Sequence, residues 1–160
     1  MPDEYYNSIS EGYDQLHEEE QLRKLEAIKK EFSVSKETKL LDVGCGSGIS
    51  SQFDCVVTGI DPSEELLKQC LFKTIKAKAE SIPFPDKSFD VVIAVTSIHN
   101  FNDIEAGLKE IKRVGKDLFA LTVLKKSPKK DSIIYLIKKH FKIKKEIEEE
   151  KDIILICNNI

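Results

Sequence analysis

The chain has 160 residues, of which 41% are hydrophobic and 33% are charged. That length suffices for one hydrophobic core, and that composition is typical of a globular protein and excludes a disordered chain. No apolar run approaches the roughly 20 residues needed to cross a bilayer. The N-terminal sequence Met-Pro-Asp-Glu has acids where a signal peptide has bases. We therefore expect a cytoplasmic protein without a membrane span.

The charges and cysteines narrow the range of partners. The formal net charge is −3, which predicts no overall attraction to nucleic acid. Charge is nevertheless uneven, because Lys125–Lys145 contains nine lysines and one acid, Asp131. The cysteines form no Cys-x-x-Cys pair, so we expect neither a metal site nor disulfides, and we expect all of them to be buried. They are Cys45, Cys55, Cys70 and Cys157.

Apolar periodicity predicts strands that alternate with helices along the chain. Apolar residues at helical spacing predict a first helix over Gln15–Phe32, and Lys39–Val43 is a short apolar run stopped by glycines, as in a buried strand. Ser63 and Asp103 are good helix N-caps. The other predicted elements are strand Cys55–Ile60, helix Glu64–Leu71, strands Thr74–Ala77 and Phe89–Val95, a helix from Asp103 to Val114, strand Leu118–Leu124, helix Ile133–His140, and strands Lys142–Ile147 and Asp152–Cys157.

This alternation predicts the α/β class, with a Rossmann-like, doubly wound and mostly parallel sheet. The last two predicted strands are joined by a short acidic turn, so they must form an antiparallel hairpin. Neither an internal repeat nor a domain boundary is visible. We therefore expect a single domain over residues 1–160, with a helical lead-in over 1–35 and a core over 36–160.

Three alternate glycines follow the first predicted strand in the segment Leu40–Gly48. Glycine is needed where the backbone turns sharply or approaches a ligand closely, and open α/β sheets bind ligands at the carboxyl ends of their strands. The second predicted strand ends at an acid, Asp61, where a carboxylate can accept both hydroxyls of a ribose. Because Ser63 is better placed to cap the next helix, we expect Asp61 to be free for that role.

Two classes of nucleotide ligand compete for this loop. A dinucleotide loop has the pattern G-x-G-x-x-G and holds a pyrophosphate at a helix N-terminus. Here the pattern is G-x-G-x-G, and it is preceded by Asp42, an acid that repels pyrophosphate but suits the ammonium of a methionine group. The spacing therefore favours S-adenosylmethionine over NAD.

With these features the chain resembles the class I S-adenosylmethionine-dependent methyltransferases, particularly the branch that includes the ubiquinone and menaquinone methyltransferases. The resemblance implies the class I methyltransferase fold, S-adenosyl-L-methionine as cofactor and S-adenosyl-L-homocysteine as product. One departure is Lys78, which stands where the family usually has an aspartate. The segments that carry the resemblance are Leu40–Gly48, Val57–Leu67, Lys78–Val95 and Thr96–Val114.

The resemblance also implies a set of cofactor contacts. The methionine part is expected against Asp42 and the loop residues, the ribose on Asp61, and the adenine on Pro62. The backbone of Ala79, next to Glu80, is expected at the adenine edge, and Thr96 near the methionine carboxylate. The expected cofactor-binding residues are therefore Tyr13 from the lead-in, Asp42, Gly44, Cys45, Gly46, Gly48, Asp61, Pro62, Ala79, Glu80 and Thr96.

In such an enzyme the cofactor carries its own leaving group, and the protein aligns the reactants for in-line displacement. His99 is the only histidine expected near the methyl-transfer face, so it is the candidate catalytic residue, as a general base. The alternative is that His99 makes a hydrogen bond within its own loop or shapes the acceptor pocket.

The sequence does not distinguish a small metabolite from RNA as the methyl acceptor, and it does not indicate the oligomeric state. The turn Gly48–Ser50 is similar to that of ribosomal-RNA guanine-N7 methyltransferases, and Ile98–Phe101 to that of tRNA wobble-uridine carboxymethyl methyltransferases. Both groups act with a small zinc-binding activator protein, so the RNA alternative includes such a partner, with the lysines of Lys125–Lys145 on phosphates. A different class is a non-catalytic cofactor-fold subunit, which the intact loop and Asp61 disfavour.

Overall fold

The structure is a computed structural model that describes residues 18–46 and 48–160, with the side chains of Ile49 and Ser51 left out of that description. Its helices are α1 over residues 18–29, α2 (Glu64–Leu67), α3 (Ile104–Val114) and α4 (Lys130–His140). Its strands are β1 (Lys39–Val43), β2 (Val56–Asp61), β3 (Lys73–Lys76), β4 (Phe89–Ala94), β5 (Gly115–Leu124), β6 (Phe141–Glu148) and β7 (Asp152–Asn159). Two 3-10 turns span Ile49–Gln52 and Ile98–Asn100.

The strands form one seven-stranded sheet in the order β3-β2-β1-β4-β5-β7-β6. Strands β1 to β5 pair in parallel, whereas β7 runs antiparallel to both β5 and β6. This confirms the predicted doubly wound, mostly parallel sheet with a C-terminal hairpin. The strand order reverses between β1 and β4, and in such sheets that reversal opens a crevice at the carboxyl ends of the strands.

The two faces of the sheet are covered by different helices. Alternate strand residues point to opposite faces, so Leu40 packs with residues of α1, whereas Leu41 packs with residues of α3 and α4. The helical residues on the α1 side are Leu25 and Ile28, and those on the opposite side include Leu108, Ile111, Ile133 and Ile137. Because α1 is anchored in one of these two buried clusters, its position over the sheet is fixed.

Both predicted helix caps are confirmed. The Leu66 N–H donates to Ser63 Oγ (3.3 Å), and the Ala106 N–H donates to Asp103 Oδ1 (3.1 Å). Within the described part of the chain, no helix has the length and apolar character needed to cross a membrane.

Several predicted boundaries were wrong. Helix α2 ends at Leu67 rather than at Leu71, because Leu71 is 91% exposed and has no apolar surface to pack against. Strand β5 begins at Gly115, which pairs with Phe89 of β4 before the apolar run starts. Helix α4 begins with exposed polar residues that precede its first buried residue, Ile133, so the apolar pattern missed its first turn.

The cysteine prediction was half right. All four cysteines are free, and Cys45 and Cys157 are buried. Cys55 and Cys70 are partly exposed instead, because Cys55 precedes β2 and Cys70 lies in the turn between α2 and β3.

Candidate active site at the carboxyl ends of β1, β2 and β4

A cavity of about 930 Å³ opens where β1, β2 and β4 end. This volume is at the upper end of the range for small-molecule sites, about 300–1,000 Å³. Its walls also include Glu18 and Gln21 of α1 and the segment Val95–Ser97 after β4. The predicted cofactor residues on its surface are Asp42, Gly44, Cys45, Gly46, Gly48, Asp61, Pro62, Ala79, Glu80 and Thr96. Tyr13 lies outside the described residues, and the cofactor contacts themselves stay predictions.

The glycine loop adopts a backbone that other residues rarely take. Gly44, Gly46 and Gly48 have φ values of +75°, +54° and +89°, in the left-handed region that glycine enters without steric cost. A Cβ on Gly44 would also lie 2.6 Å from the Cβ of Ser97, whose hydroxyl donates to the Val43 carbonyl (2.9 Å). The loop is therefore packed directly against the segment that follows β4.

The described amides of this loop are already used inside the protein. The N–H groups of Gly44 and Cys45 both donate to the Ile60 carbonyl (2.8 and 3.0 Å). The Gly46 N–H donates to Asp61 Oδ2 (3.0 Å), and the Gly48 N–H donates to the Cys45 carbonyl (3.0 Å). A loop that cradles phosphates presents free N–H groups to the ligand. These four amides are not free, which disfavours a pyrophosphate ligand.

Asp61 is not free as the sequence led us to expect. Its Oδ2 accepts the Gly46 N–H (3.0 Å) and its Oδ1 accepts the Ser63 N–H (2.9 Å). The carboxylate therefore shapes the loop and the start of α2, even though Ser63 caps that helix. Each carboxylate oxygen has a second lone pair, so Asp61 can still accept ribose hydroxyls from the cavity.

Asp42 is a buried acid at the end of β1, only 5% exposed, and it lines the cavity. Burial raises the pKa of its carboxyl to about 7, and the negative charge of Asp61 acts in the same direction. The Ser50 hydroxyl opposes this shift in part, although it lies beside the carboxylate without completing a hydrogen bond of good geometry. A cationic ligand in the cavity would therefore stabilise the ionised form of Asp42.

Thr96 ends the opposite wall of the cavity in a strained conformation. Its φ is +52°, which is rare for a β-branched residue and requires support from surrounding contacts. The Thr96 N–H donates to Thr122 Oγ1 (2.6 Å), and Thr96 Oγ1 accepts from Lys24 Nζ (2.6 Å). The Thr96 hydroxyl also lies within donor distance of Asp152 Oδ2 (3.1 Å) and Gln21 Oε1 (3.3 Å).

Lys24 and Asp152 complete this network as a buried ion pair. Lys24 Nζ lies 2.9 Å from Asp152 Oδ1, and the two side chains are 7% and 0% exposed. Sequence reasoning missed both residues, because Lys24 and Asp152 are 72 and 56 residues from Thr96 and belong to no motif. One signal in the sequence was available for Lys24. It lies four residues before Ile28, so it is a charged residue on the apolar face of the predicted helix.

The wall expected near the adenine is fixed by α3. Glu80 Oε2 accepts the Asp103 N–H (2.9 Å), so the carboxylate of this predicted cofactor residue already holds the start of α3. Arg113 donates to the carbonyls of Ile82 and Phe84 (2.9 and 2.8 Å). These bonds anchor the segment that follows Ala79 and hold it at the cavity.

His99 lies in the second 3-10 turn, beside the cavity but not among the residues that line it. Burial lowers the pKa of its imidazole; the positive charges of Lys129 and Lys24 add to this effect and Asp152 opposes it. The lowered pKa favours a neutral ring at neutral pH, the form that a general base needs. Ser97 and Asn100 line the cavity, whereas His99 does not. Its role as a general base therefore stays a prediction.

A protein-family model described as a methyltransferase domain matches residues 41–118. This span contains the glycine loop, Asp61, Ala79 and Thr96. Over this segment, just under half of the chain, the sequence is similar to methyltransferase domains, and the sheet described above is the fold of class I S-adenosylmethionine-dependent methyltransferases. S-adenosyl-L-methionine is accordingly the cofactor that the family match implies.

Curated relatives are similar to the chain over a longer stretch. An uncharacterized protein of Methanocaldococcus jannaschii, MJ1252, is 33% identical and covers 92% of this chain and 62% of its own length. The demethylmenaquinone methyltransferase of Staphylococcus aureus is 34% identical, over 69% of this chain and 54% of its own length. The chain thus spans less than two thirds of these relatives.

Two solved structures have the same fold. A SAM-dependent methyltransferase from Aquifex aeolicus is 20% identical with a TM-score of 0.70, covering 84% of this chain and 89% of its own. A putative methyltransferase of Haloferax volcanii, in complex with the Trm112 methyltransferase activator, is similar with a TM-score of 0.77 at 13% identity, covering 99% of both chains.

The pKa of Asp42 predicts how cofactor affinity depends on pH. If the ionised carboxylate binds the cofactor ammonium, protonation through a pKa near 7 removes the attraction as pH falls. We expect the affinity for S-adenosylmethionine to fall by about one order of magnitude from pH 7.0 to 5.5, a range in which an α-ammonium stays charged. Isothermal titration calorimetry measures it. Asp42→Asn should bind weakly with little pH dependence, whereas exposed Asp54→Asn should behave as the wild type.

The buried ion pair predicts a specific pattern of stability. Lys24→Met leaves Asp152 as an uncompensated buried charge, so we expect the free energy of unfolding to fall by about 3–5 kcal/mol. The double variant Lys24→Met/Asp152→Asn has no buried charge left and should recover most of that loss. Chemical denaturation measures both, and Lys30→Met, at an exposed residue directly after α1, is the matched control. A double variant no more stable than the single one would contradict the argument.

Proposed function

We propose that the protein transfers the methyl group of S-adenosylmethionine to an acceptor that binds at the Thr96 end of the cavity. The observation that carries this proposal is that Asp42, Asp61 and Thr96 lie around one cavity, beside a glycine loop whose described amides are already bonded. Acidic and hydroxyl groups suit an ammonium and ribose hydroxyls, whereas the bonded amides disfavour a phosphate. We also propose that residues 1–160 form one domain, since every described strand belongs to one sheet.

Each residue then has a defined task. Asp42 offers an ionisable carboxylate to the ammonium, and Asp61 offers acceptors to the ribose. When bound, the cofactor supplies a methyl group on a positively charged sulfur, and S-adenosylhomocysteine is the expected product. The chain contributes alignment, because Thr96 and the neighbouring wall hold the acceptor in line with the methyl carbon. The carboxyl group of Asp42 is deeply buried, so its charge acts on a ligand in the cavity with little screening by solvent.

Binding of the cofactor is the direct test of the proposal. We expect S-adenosylmethionine to bind the wild-type chain, and Asp61→Asn to weaken binding about 10- to 100-fold, the effect of losing hydrogen bonds to a charged acceptor. Asparagine retains an oxygen for one of the two backbone N–H groups, so the fold should persist. Calorimetric titration with Asp54→Asn as control decides the matter. A wild-type chain that binds no cofactor favours the non-catalytic subunit instead.

The acceptor class is proposed from the walls near Thr96. Gln21 contacts Thr96, and Glu18, Asn100 and Asn102 also line the cavity. These polar groups favour an acceptor that carries hydrogen-bonding groups of its own. A small metabolite that carries hydrogen-bonding groups fits this wall, and the similarity to a demethylmenaquinone methyltransferase supports a small metabolite as the class of acceptor.

A second candidate is an RNA acceptor with an activator protein. Ion pairs occupy some lysines of Lys125–Lys145, such as Lys139 with Glu105 (2.9 Å). Among the residues that the structure describes, Lys126, Lys130 and Lys138 are in no ion pair within 4.0 Å. These lysines can contact phosphates. The Haloferax structural neighbour, solved with the Trm112 activator, supports a partner of that kind.

Transfer of a labelled methyl group separates the two acceptor classes. We expect label from S-adenosylmethionine to enter a small-molecule extract without any added partner. Total RNA is the parallel substrate, with and without a small zinc-binding activator protein, and Asp61→Asn is the background control. Label in RNA that depends on the activator and falls in Lys126→Ala/Lys130→Ala would establish the second candidate over the first.

A further inference from the structure

Two cysteines lie close together at the glycine loop. Cys45 belongs to the loop itself, is 7% exposed and lines the cavity. Cys70 lies in the turn after α2 and is partly exposed. Cys70 Sγ donates to the carbonyl of Gly46 (3.4 Å), the residue that follows Cys45, and each thiol acts on the pKa of the other. The two cysteines are thus neighbours in space, although they are 25 positions apart in the chain.

Both sulfur atoms are packed tightly against glycines. A Cβ on Gly59 would lie 2.6 Å from Cys45 Sγ, and a Cβ on Gly48 would lie 2.9 Å from Cys70 Sγ. Both thiols therefore touch backbone that shapes the cavity, one at β2 and the other at the loop. Chemical change at either sulfur cannot be absorbed without moving this backbone.

We propose that Cys45 and Cys70 are an oxidisable thiol pair whose disulfide weakens binding at the cofactor loop. The effect on cofactor affinity rests on the proposed function, whereas formation of the disulfide does not. The oxidant is a low-molecular-weight disulfide, for which oxidised glutathione is the probe.

The reaction is thiol–disulfide exchange in two steps. The thiolate of Cys70, the more exposed of the two, attacks oxidised glutathione and releases one molecule of reduced glutathione. The thiolate of Cys45 then attacks the Cys70 sulfur of this mixed disulfide and releases the second. The two protein thiols lose two electrons and two protons in all, and one oxidised glutathione becomes two reduced ones.

The disulfide must displace the loop. A sulfur–sulfur bond is about 2.05 Å long, shorter than any contact between two thiols that are not covalently joined. Closing it draws Cys45 and the turn at Cys70 together, and it removes the S–H that donates to the Gly46 carbonyl. Gly46 is the residue whose N–H is held by Asp61, so the disturbance reaches the acid expected to bind the ribose.

The reaction should be slow at neutral pH. Burial raises the pKa of both thiols, and the nearby Asp42 and Asp61 charges add to the shift. Only the thiolate attacks a disulfide, so we expect the rate to rise between pH 7 and pH 9. Bound S-adenosylmethionine should slow the closing step, because Cys45 lines the cavity.

The experiment treats the full chain with oxidised glutathione at pH 9 and follows the intact mass. We expect loss of two hydrogens, a peptide map that joins Cys45 to Cys70, and an affinity for S-adenosylmethionine at least tenfold weaker, all reversed by dithiothreitol. Cys70→Ala should bind cofactor and lose both the crosslink and the sensitivity to oxidation. Cys55→Ala, which removes the other partly exposed thiol, should retain both.

Each outcome bears on one part of the proposal. Absence of a Cys45–Cys70 crosslink, or only a stable mixed disulfide at Cys70, overturns the thiol pair. A crosslinked chain whose cofactor affinity is unchanged overturns the coupling to the loop. If the crosslink forms but the reduced chain binds no S-adenosylmethionine, the thiol pair stands and the proposed function fails.

Discussion

The ion pair between Lys24 and Asp152 joins the first described helix to the last strand, and the position of Thr96 at the cavity depends on it. Removing two such charges from water costs several kcal/mol for each ion. Their mutual attraction offsets this cost only with good geometry and further hydrogen bonds, which Thr96 supplies. An apolar pair would stabilise a core at least as well. The charged pair instead fixes the position of Thr96, because it holds this residue at a φ of +52°.

The glycine-loop end of the cavity is held by a second buried acid, Asp61. Asp61 accepts the N–H groups of Gly46 and Ser63, so the loop and the start of α2 are fixed before any ligand arrives. Asp42 behaves differently, because burial leaves its carboxyl with a pKa near 7. A cation in the cavity would favour its ionised form. Asp61 thus holds the loop in place, whereas the protonation state of Asp42 depends on the ligand.

Short-range patterns in the sequence predicted most of the fold. Lys39–Val43 and the caps at Ser63 and Asp103 were found because apolar periodicity and capping act over a few residues. The same reasoning failed where tertiary contacts decide the outcome. Asp61 was expected to be free, since nothing local shows that the Gly46 N–H turns back toward it. The length of α2 depended on whether Leu71 had a surface to pack against.

The candidate site also contains residues that local patterns predict and residues that only tertiary contacts bring in. The loop glycines and the acid at the end of β2 form a compact motif, and they lie at the cavity that the motif predicts. Lys24 and Asp152 carry no motif and meet Thr96 only through the fold.

The family match covers the residues proposed to bind the methyl donor better than those proposed to bind the acceptor. The matched segment, residues 41–118, contains the glycine loop, Asp61 and Thr96. Lys24 and Asp152, which hold Thr96 in place, both lie outside it, as do Glu18 and Gln21 of the cavity wall. The glycine loop and Asp61 therefore lie inside the matched segment, whereas part of the wall at the Thr96 end of the cavity comes from outside it. Acceptor specificity in this chain should be sought on α1 and around β7, where substitutions can alter the acceptor wall without touching the cofactor loop.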